Sequence, residues 1–140
     1  MKASVICPTF NGGPLFRRCL ESILAQRTYF RYDIVVVDSS STDGTAEHLA
    51  RMADLHTNLK FLSISQEEFG HGKTRNYAIE HASGEYIAML TQDAVPVSAG
   101  WLQAFVEEME RHPKAAGAFG PHWAYPDCDP LVRRDLELHF

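Results

Sequence analysis

The sequence predicts a doubly wound α/β domain, a mostly parallel sheet with helices on both faces. Short apolar runs at Ala3–Cys7, Ile34–Val37 and Tyr86–Leu90 lack polar alternation, as strands buried on both faces do. Between them lie longer stretches with apolar residues at helical spacing, and strands alternating with helices build βαβ units. Two of the strand runs also finish on a carboxylate, one directly at Asp38 and the other through Thr91-Gln92 at Asp93. Ligands of open α/β sheets bind beyond the carboxyl ends of the strands, so both aspartates become candidates for a site. A turn or helix-cap role is the alternative for each.

In chain order, Ala3 to Cys7 is the first predicted strand. Pro14 to Gln26 follows as a helix, with Leu15, Cys19, Leu20, Ile23 and Leu24 on one stripe. Ile34 to Asp38 is the second strand, and Thr45 to about Leu55 a helix bearing Ala46, Leu49, Met52 and Ala53. Lys60 to Ile64 is a third strand, Gly72 to Ala82 a short helix, and Glu85 to Leu90 a fourth strand. Ser98 to Arg111 carries Leu102, Phe105, Val106 and Met109 at helical spacing, and Ala115 to Phe119 is expected to add a fifth strand. Asp129-Pro130 supplies an N-cap and first helical position for a last helix, Leu131 to Phe140. Residues 1–120 thus form the expected α/β domain, and 121–140 the start of a further, incomplete region.

With 140 residues and 45% apolar content, the chain is long enough to bury about two-thirds of the surface its unfolded form exposes. Three widely spaced cysteines, without a Cys-x-x-Cys pair, argue against a disulfide framework or a zinc site and point to a reducing cytosol. No apolar stretch reaches the roughly 18 residues that span a bilayer, so a soluble protein is expected, with attachment to the inner face of a membrane left open. The net charge of −5 works against nucleic acid as a partner, because phosphate binding wants a basic face. Seven scattered histidines offer no zinc spacing.

Two nucleotide motifs almost fit and fail. Gly72-Lys73-Thr74 resembles the end of a phosphate-binding P-loop, but the glycine required five positions earlier is Glu67, an anion where phosphate would sit. Gly70-His71-Gly72 begins like a dinucleotide fingerprint, yet Arg75 stands where the third glycine allows close helix packing.

Four segments fall at loops after successive strands: Pro8-Thr9-Phe10-Asn11, Asp38-Ser39-Ser40-Ser41-Thr42-Asp43-Gly44-Thr45, Gly70 to Asn76, and Thr91-Gln92-Asp93. Together they resemble family 2 glycosyltransferases of the GT-A type, in the rhamnosyltransferase-like subgroup, over essentially the whole chain. The resemblance implies a truncated GT-A fold and a nucleotide-sugar site. Pro8, Thr9 and Asn11 would lie along a uracil or thymine ring and its ribose. Asp38 would accept from the base N3–H, which suits an acceptor-only carboxylate. Arg75 would stack on the base and donate toward the phosphates, with Asn76 beside it. His71 and Lys73 flank the same helix start, which attracts anions. Asp43-Gly44-Thr45 is expected to serve the turn and helix start rather than the ligand.

Thr91-Gln92-Asp93 occupies the place of the family's Asp-x-Asp signature. Asp93 would bind Mg²⁺ or Mn²⁺ together with the donor diphosphate, and Gln92 is counted with the nucleotide-binding residues. Thr91 departs from the signature. The implied reaction is inverting transfer of a sugar, rhamnose by the subgroup, from a UDP- or dTDP-sugar to a glycan or lipid-linked acceptor. No general base is assigned: Asp127-Cys128-Asp129 is read as a turn between prolines. A non-catalytic nucleotide-sugar-binding domain is one alternative, and an unrelated doubly wound domain with structural strand-end acids is another. Self-association through exposed apolar surface is also expected.

Overall fold

The computed structural model describes residues 1–139 and contains four parallel strands and five α-helices among them. In chain order these are β1 (Ala3–Thr9), α1 (Gly13–Leu24), β2 (Tyr32–Asp38), α2 (Thr45–Leu55), β3 (Leu59–Ser63), α3 (His71–Glu80), β4 (Tyr86–Met89), α4 (Trp101–Arg111) and α5 (Pro130–His139). The chain divides into two compact units, Met1–Val106 and Glu107–Phe140, with the boundary inside α4. No helix among the described residues is long and apolar enough to cross a membrane.

The sheet order is β3-β2-β1-β4, every neighbouring pair parallel. The first two crossovers step in one direction and the third returns past β1, so α1 and α2 pack on one face and α3 on the other, given right-handed connections. Alternate strand residues follow that division. Ala3, Val5, Cys7, Ile34 and Val36 pack with Phe16, Cys19, Leu20 and Ile23 of α1, Leu49 of α2, and Leu102 and Val106 of α4. Ile6, Val35 and Val37 pack with Ala78 of α3 on the opposite side. Strands covered on both faces need apolar residues at every position, which is why their sequences do not alternate.

The opposite, amino-terminal edge of the sheet is held by a polar cluster. Asp33 is buried and takes hydrogen bonds from the Ser4 hydroxyl and, at 3.1 Å, from Lys60 Nζ, which also reaches the His81 carbonyl and Ser83 Oγ. Burial pushes the Asp33 carboxyl up, but the bonds from Ser4, Lys60 and Ser83 outweigh it and hold the group below the usual carboxylate range. Ser4 Oγ also accepts from the backbone N–H groups of Ser83 and Gly84, at 3.2 and 2.7 Å.

A second polar seam runs along α1. The side chains of Cys19, Ser22 and Gln26, aligned along that helix and just past its end, donate to the carbonyls of Ala94 (3.4 Å), Pro96 (2.9 Å) and Ser98 (2.8 Å), taking every second one. Gln26 Oε1 then accepts from Leu102 N at 2.9 Å, fixing the start of α4. Gln26 is 7% exposed and Leu102 1%, so Gln26→Leu leaves the buried Leu102 N–H without its acceptor, at about 1–3 kcal/mol, and removes the bond to the Ser98 carbonyl. We expect the urea midpoint to fall by the equivalent of about 2–3 kcal/mol at unchanged slope; a wild-type midpoint would show that the seam adds nothing to stability.

Two elements differ from the sequence reading. Residues 115–119 form no strand: they are exposed, Phe119 to 86%, and pair with no described strand. Three alanines and a glycine supply little apolar surface to hold a strand against a sheet. Gln66–Glu68, between the predicted third strand and the helix after it, forms a 3₁₀ turn closed by a capping box between Ser65 and Glu68. The last helix starts at Pro130 as expected, with Leu131 N donating to Asp129 Oδ1 at 2.8 Å. Its predicted final residue, Phe140, lies outside the described residues.

Candidate functional site

Register brings three strand ends level. Thr9 is paired with Asp38, and Asp38 with Ser63, while β4 stays in step through Leu90 N donating to the Ile6 carbonyl. Because β2 lies on one side of β1 and β4 on the other, the topological switch point falls between β1 and β4. In open α/β sheets the ligand crevice lies there, beyond the carboxyl ends.

Thr91–Ala94 forms a β-turn just beyond β4, at this switch point, closed by Ala94 N donating to the Thr91 carbonyl at 3.1 Å. Gln92 and Asp93 are its two central residues. Asp93 is exposed, and Gln92 turns its amide oxygen toward the β1 loop, accepting from Thr9 Oγ1 at 2.9 Å and Phe10 N at 2.8 Å. A backbone N–H can only donate, so the atom facing Phe10 is the oxygen. Asp93 raises the Cys7 pKa and Arg75 lowers it, so a negative and a positive charge both lie near the end of β1. Cys7 itself is pushed well up by its hydrogen bond with Cys19 and by burial, and stays a thiol.

The β1 and β2 loops are bound together on the other side. Asn11 N donates to Ser41 Oγ at 2.8 Å, and Thr42 N to Asn11 Oδ1 at 2.8 Å. Gly13 N donates to Asp43 Oδ2 and Thr45 N to Asp43 Oδ1, both at 3.0 Å. The hydrogen bonds from Thr45 and Gly13 hold the Asp43 carboxyl below its ordinary range. Asn11 and Ser40 both have positive φ, 46° and 61°, and Gly44 adopts 87° at the start of α2, where glycine costs least.

Asp38 sits at the level the sequence predicts. It is fully buried, and its two carboxylate oxygens accept from the Ser41 hydroxyl and, at 2.9 Å, from Ser41 N. This is the turn-forming role that an aspartate at a strand end commonly takes. Its neighbour shows the opposite condition: Ser39 Oγ is buried with no hydrogen-bond partner in the structure. Nearly all buried polar side chains are paired, so an orphaned hydroxyl at a strand end marks a place for a ligand group or water. Sequence reasoning missed Ser39 because a serine among three serines carries no pattern.

On α3, Arg75 folds back so that Nη1 donates to the His71 carbonyl at 2.8 Å, while His71, Lys73 and Asn76 are exposed. Thr74 is buried and accepts from Gly70 N at 3.2 Å, organising the helix start. Phe10, passed over between Thr9 and Asn11, is 41% exposed and so presents an aromatic ring on the β1 loop. In the second unit, Pro126 and Asp127 lie in a turn closed by Cys128 N donating to the Tyr125 carbonyl at 3.0 Å, as the flanking prolines predict.

No group of three or more His, Cys, Asp or Glu side chains forms a metal cage among the described residues. A soft or tightly held metal is therefore a poor fit. Mg²⁺ and Mn²⁺ fit better, since such ions bind through one or two carboxylates plus phosphate oxygens and water. Asp93, exposed in its turn, can supply the carboxylate.

Residues 4–136 match the family described as Glycosyl transferase family 2. The O-antigen chain rhamnosyltransferase RfbN of Salmonella typhimurium is 31% identical over 133 residues, covering 94% of this chain and 40% of that protein. The glycosyltransferase AglE of Haloferax volcanii is 36% identical over 102 residues, 71% of this chain and 33% of that protein. The chain thus spans two-fifths or less of these relatives. Among solved structures, Staphylococcus aureus TarS 1–349 in complex with UDP-GlcNAc superimposes with a TM-score of 0.69 at 26% identity, covering 89% of this chain and 39% of that one. The mannosyltransferase PcManGT of Pyrobaculum calidifontis, in complex with GDP-Man and Mn²⁺, gives 0.69 at 34% identity over 77% of this chain and 32% of that one.

Proposed function

The chain belongs to glycosyltransferase family 2, and from that premise we propose that it forms the donor side of a GT-A enzyme. The reaction is inverting transfer of a sugar from a UDP- or dTDP-sugar to a glycan or lipid-linked acceptor. The observation that carries this reading is the placement of Asp93 in the β-turn after β4, beside the end of β1 and the switch point. Rhamnose is the proposed sugar, supported by the similarity to RfbN over 94% of the chain.

In this reading the β1 loop, Asp38 and Ser39 hold the base, Phe10 stacks on it, and Arg75 with the exposed start of α3 faces the diphosphate. A bound divalent cation would neutralise charge on the leaving diphosphate, and Asp93 is its protein ligand. Ser39 joins Asp38 as a proposed base contact: each Asp38 oxygen accepts one bond from Ser41 and keeps a further acceptor site, while the Ser39 hydroxyl is buried and unsatisfied.

Calorimetric titration of UDP, dTDP and GDP, with and without Mn²⁺, tests the assignment. We expect UDP or dTDP to bind in preference to GDP and to bind more tightly with the cation. Ser39→Ala should weaken the pyrimidine nucleotide by about 1 kcal/mol, the worth of one neutral hydrogen bond. Equal binding of all three nucleotides, or no binding at all, would overturn the reading; an unchanged Ser39→Ala would remove only the Ser39 contact.

A further inference from the structure

We propose that Gln92 is a positioning residue that couples cation binding to nucleotide binding. It does so by linking, at the switch point, the cation turn to the base-holding loop. The inference rests on the donor-site reading above and adds to it how the two halves of that site communicate.

The geometry is specific. Gln92 and Asp93 are the adjacent central residues of one tight turn, so their backbones move as a unit. The Gln92 amide oxygen receives two donors from the β1 loop, Thr9 Oγ1 at 2.9 Å and Phe10 N at 2.8 Å. The first parallel bridge on this side runs from Ala3 with Tyr86 to Ile6 with Met89, and Leu90 N still reaches the Ile6 carbonyl. Beyond that point the two chains leave the ladder. The Gln92 side chain is the contact that continues their connection into the loops.

The cation turn is supported from beneath as well. Cys19 Sγ lies 3.4 Å from the Ala94 carbonyl and Ser22 Oγ 2.9 Å from that of Pro96, so α1 fixes the segment that leaves the turn. The β1 loop is fixed on its far side by the Asn11 bonds to Ser41 and Thr42. Gln92 therefore joins two supported loops across the one gap between them. With no group of three or more His, Cys, Asp or Glu ligands among the described residues, nucleotide phosphates can share the cation's shell with Asp93 and water. A shared shell makes the two binding events reciprocal, and a rigid link between the loops raises that coupling by holding Asp93 where the phosphates arrive.

The test measures the factor by which Mn²⁺ tightens UDP in wild type, Gln92→Met and Gln92→Glu, by calorimetry on the intact chain. Methionine fills similar space without accepting the two hydrogen bonds. We expect the factor by which Mn²⁺ tightens UDP to fall about tenfold in Gln92→Met, beyond any loss of metal-free UDP affinity that comes from loosening the β1 loop. Amide hydrogen exchange, read without nucleotide, should show faster exchange at Phe10 in Gln92→Met and near wild-type protection in Gln92→Glu, which keeps an acceptor oxygen at the same reach. An unchanged factor in Gln92→Met, or a parallel loss of metal-free and metal-dependent affinity, would overturn the coupling and leave the donor site standing. Absence of UDP and dTDP binding by wild type would overturn both together.

Discussion

In Asp93→Asn, Mn²⁺ is expected to lose its effect on UDP affinity, while binding of UDP alone stays close to wild type. Asparagine preserves the size and the turn-forming character of the side chain, so the Thr91–Ala94 turn should persist. The change removes a full negative charge at the proposed meeting place of the cation and the diphosphate. No group of three or more His, Cys, Asp or Glu side chains among the described residues offers a ready-made alternative. We therefore expect the metal-dependent part of the affinity to drop about 100-fold, equivalent to about 2.8 kcal/mol. Paired titrations of wild type and variant, each with and without Mn²⁺, give the number directly. If Mn²⁺ still tightens UDP to the wild-type extent in Asp93→Asn, then the cation is held elsewhere and the assignment of this residue fails.

The largest effect on stability is expected at Gly84. A Cβ placed there would lie 2.3 Å from Ala3 C, 2.4 Å from Ser4 N and 2.7 Å from Ala3 Cα. Those atoms are main chain in a central strand, paired on one side with β2 and on the other with β4, so none can retreat. The same approach allows Gly84 N to reach Ser4 Oγ at 2.7 Å, which in turn bonds the buried Asp33. Gly84→Ala must open this contact, part Ser4 from its partners and loosen the polar cluster at the amino-terminal edge. A cost above about 4 kcal/mol is expected, at the extreme of single substitutions and comparable with the whole stability of many domains. Denaturant unfolding of Gly84→Ala beside Ser83→Ala separates this steric effect from a general sensitivity of the loop. A wild-type midpoint for Gly84→Ala would mean that β1 and this loop can move apart at little cost.

The strands were legible because burial on both faces leaves a direct imprint. Val35, Val36 and Val37 are successive apolar residues, and each meets a helix on its own side of the sheet. Helix starts were legible where chemistry is local, as at Asp129-Pro130. The Ala115–Phe119 strand was not, since a β-strand is defined by a partner and the segment has none among the described residues. The candidate site divides in the same way. Strand-end position pointed to Asp38 and Asp93, but position alone does not say where oxygen atoms are directed. The Asp38 carboxylate closes its own loop through Ser41, whereas Ser39, with no distinctive neighbours in sequence, is left with a buried, unsatisfied hydroxyl. Ser22 and Gln26 were similarly silent, although polar residues beside an apolar helical stripe are the available signal for a seam of side chain to main chain bonds.

That seam also acts as a gauge of length. Cys19, Ser22 and Gln26 receive the carbonyls of residues 94, 96 and 98, a two-residue step matched to the spacing of side chains along α1. Adding or deleting one residue between Asp93 and Trp101 would shift that step out of phase, presenting amide groups of the wrong parity to a row of fixed partners. The distance in sequence from the Thr91–Ala94 turn to α4 is thereby restricted, leaving more freedom to the side chains of this segment than to its residue count.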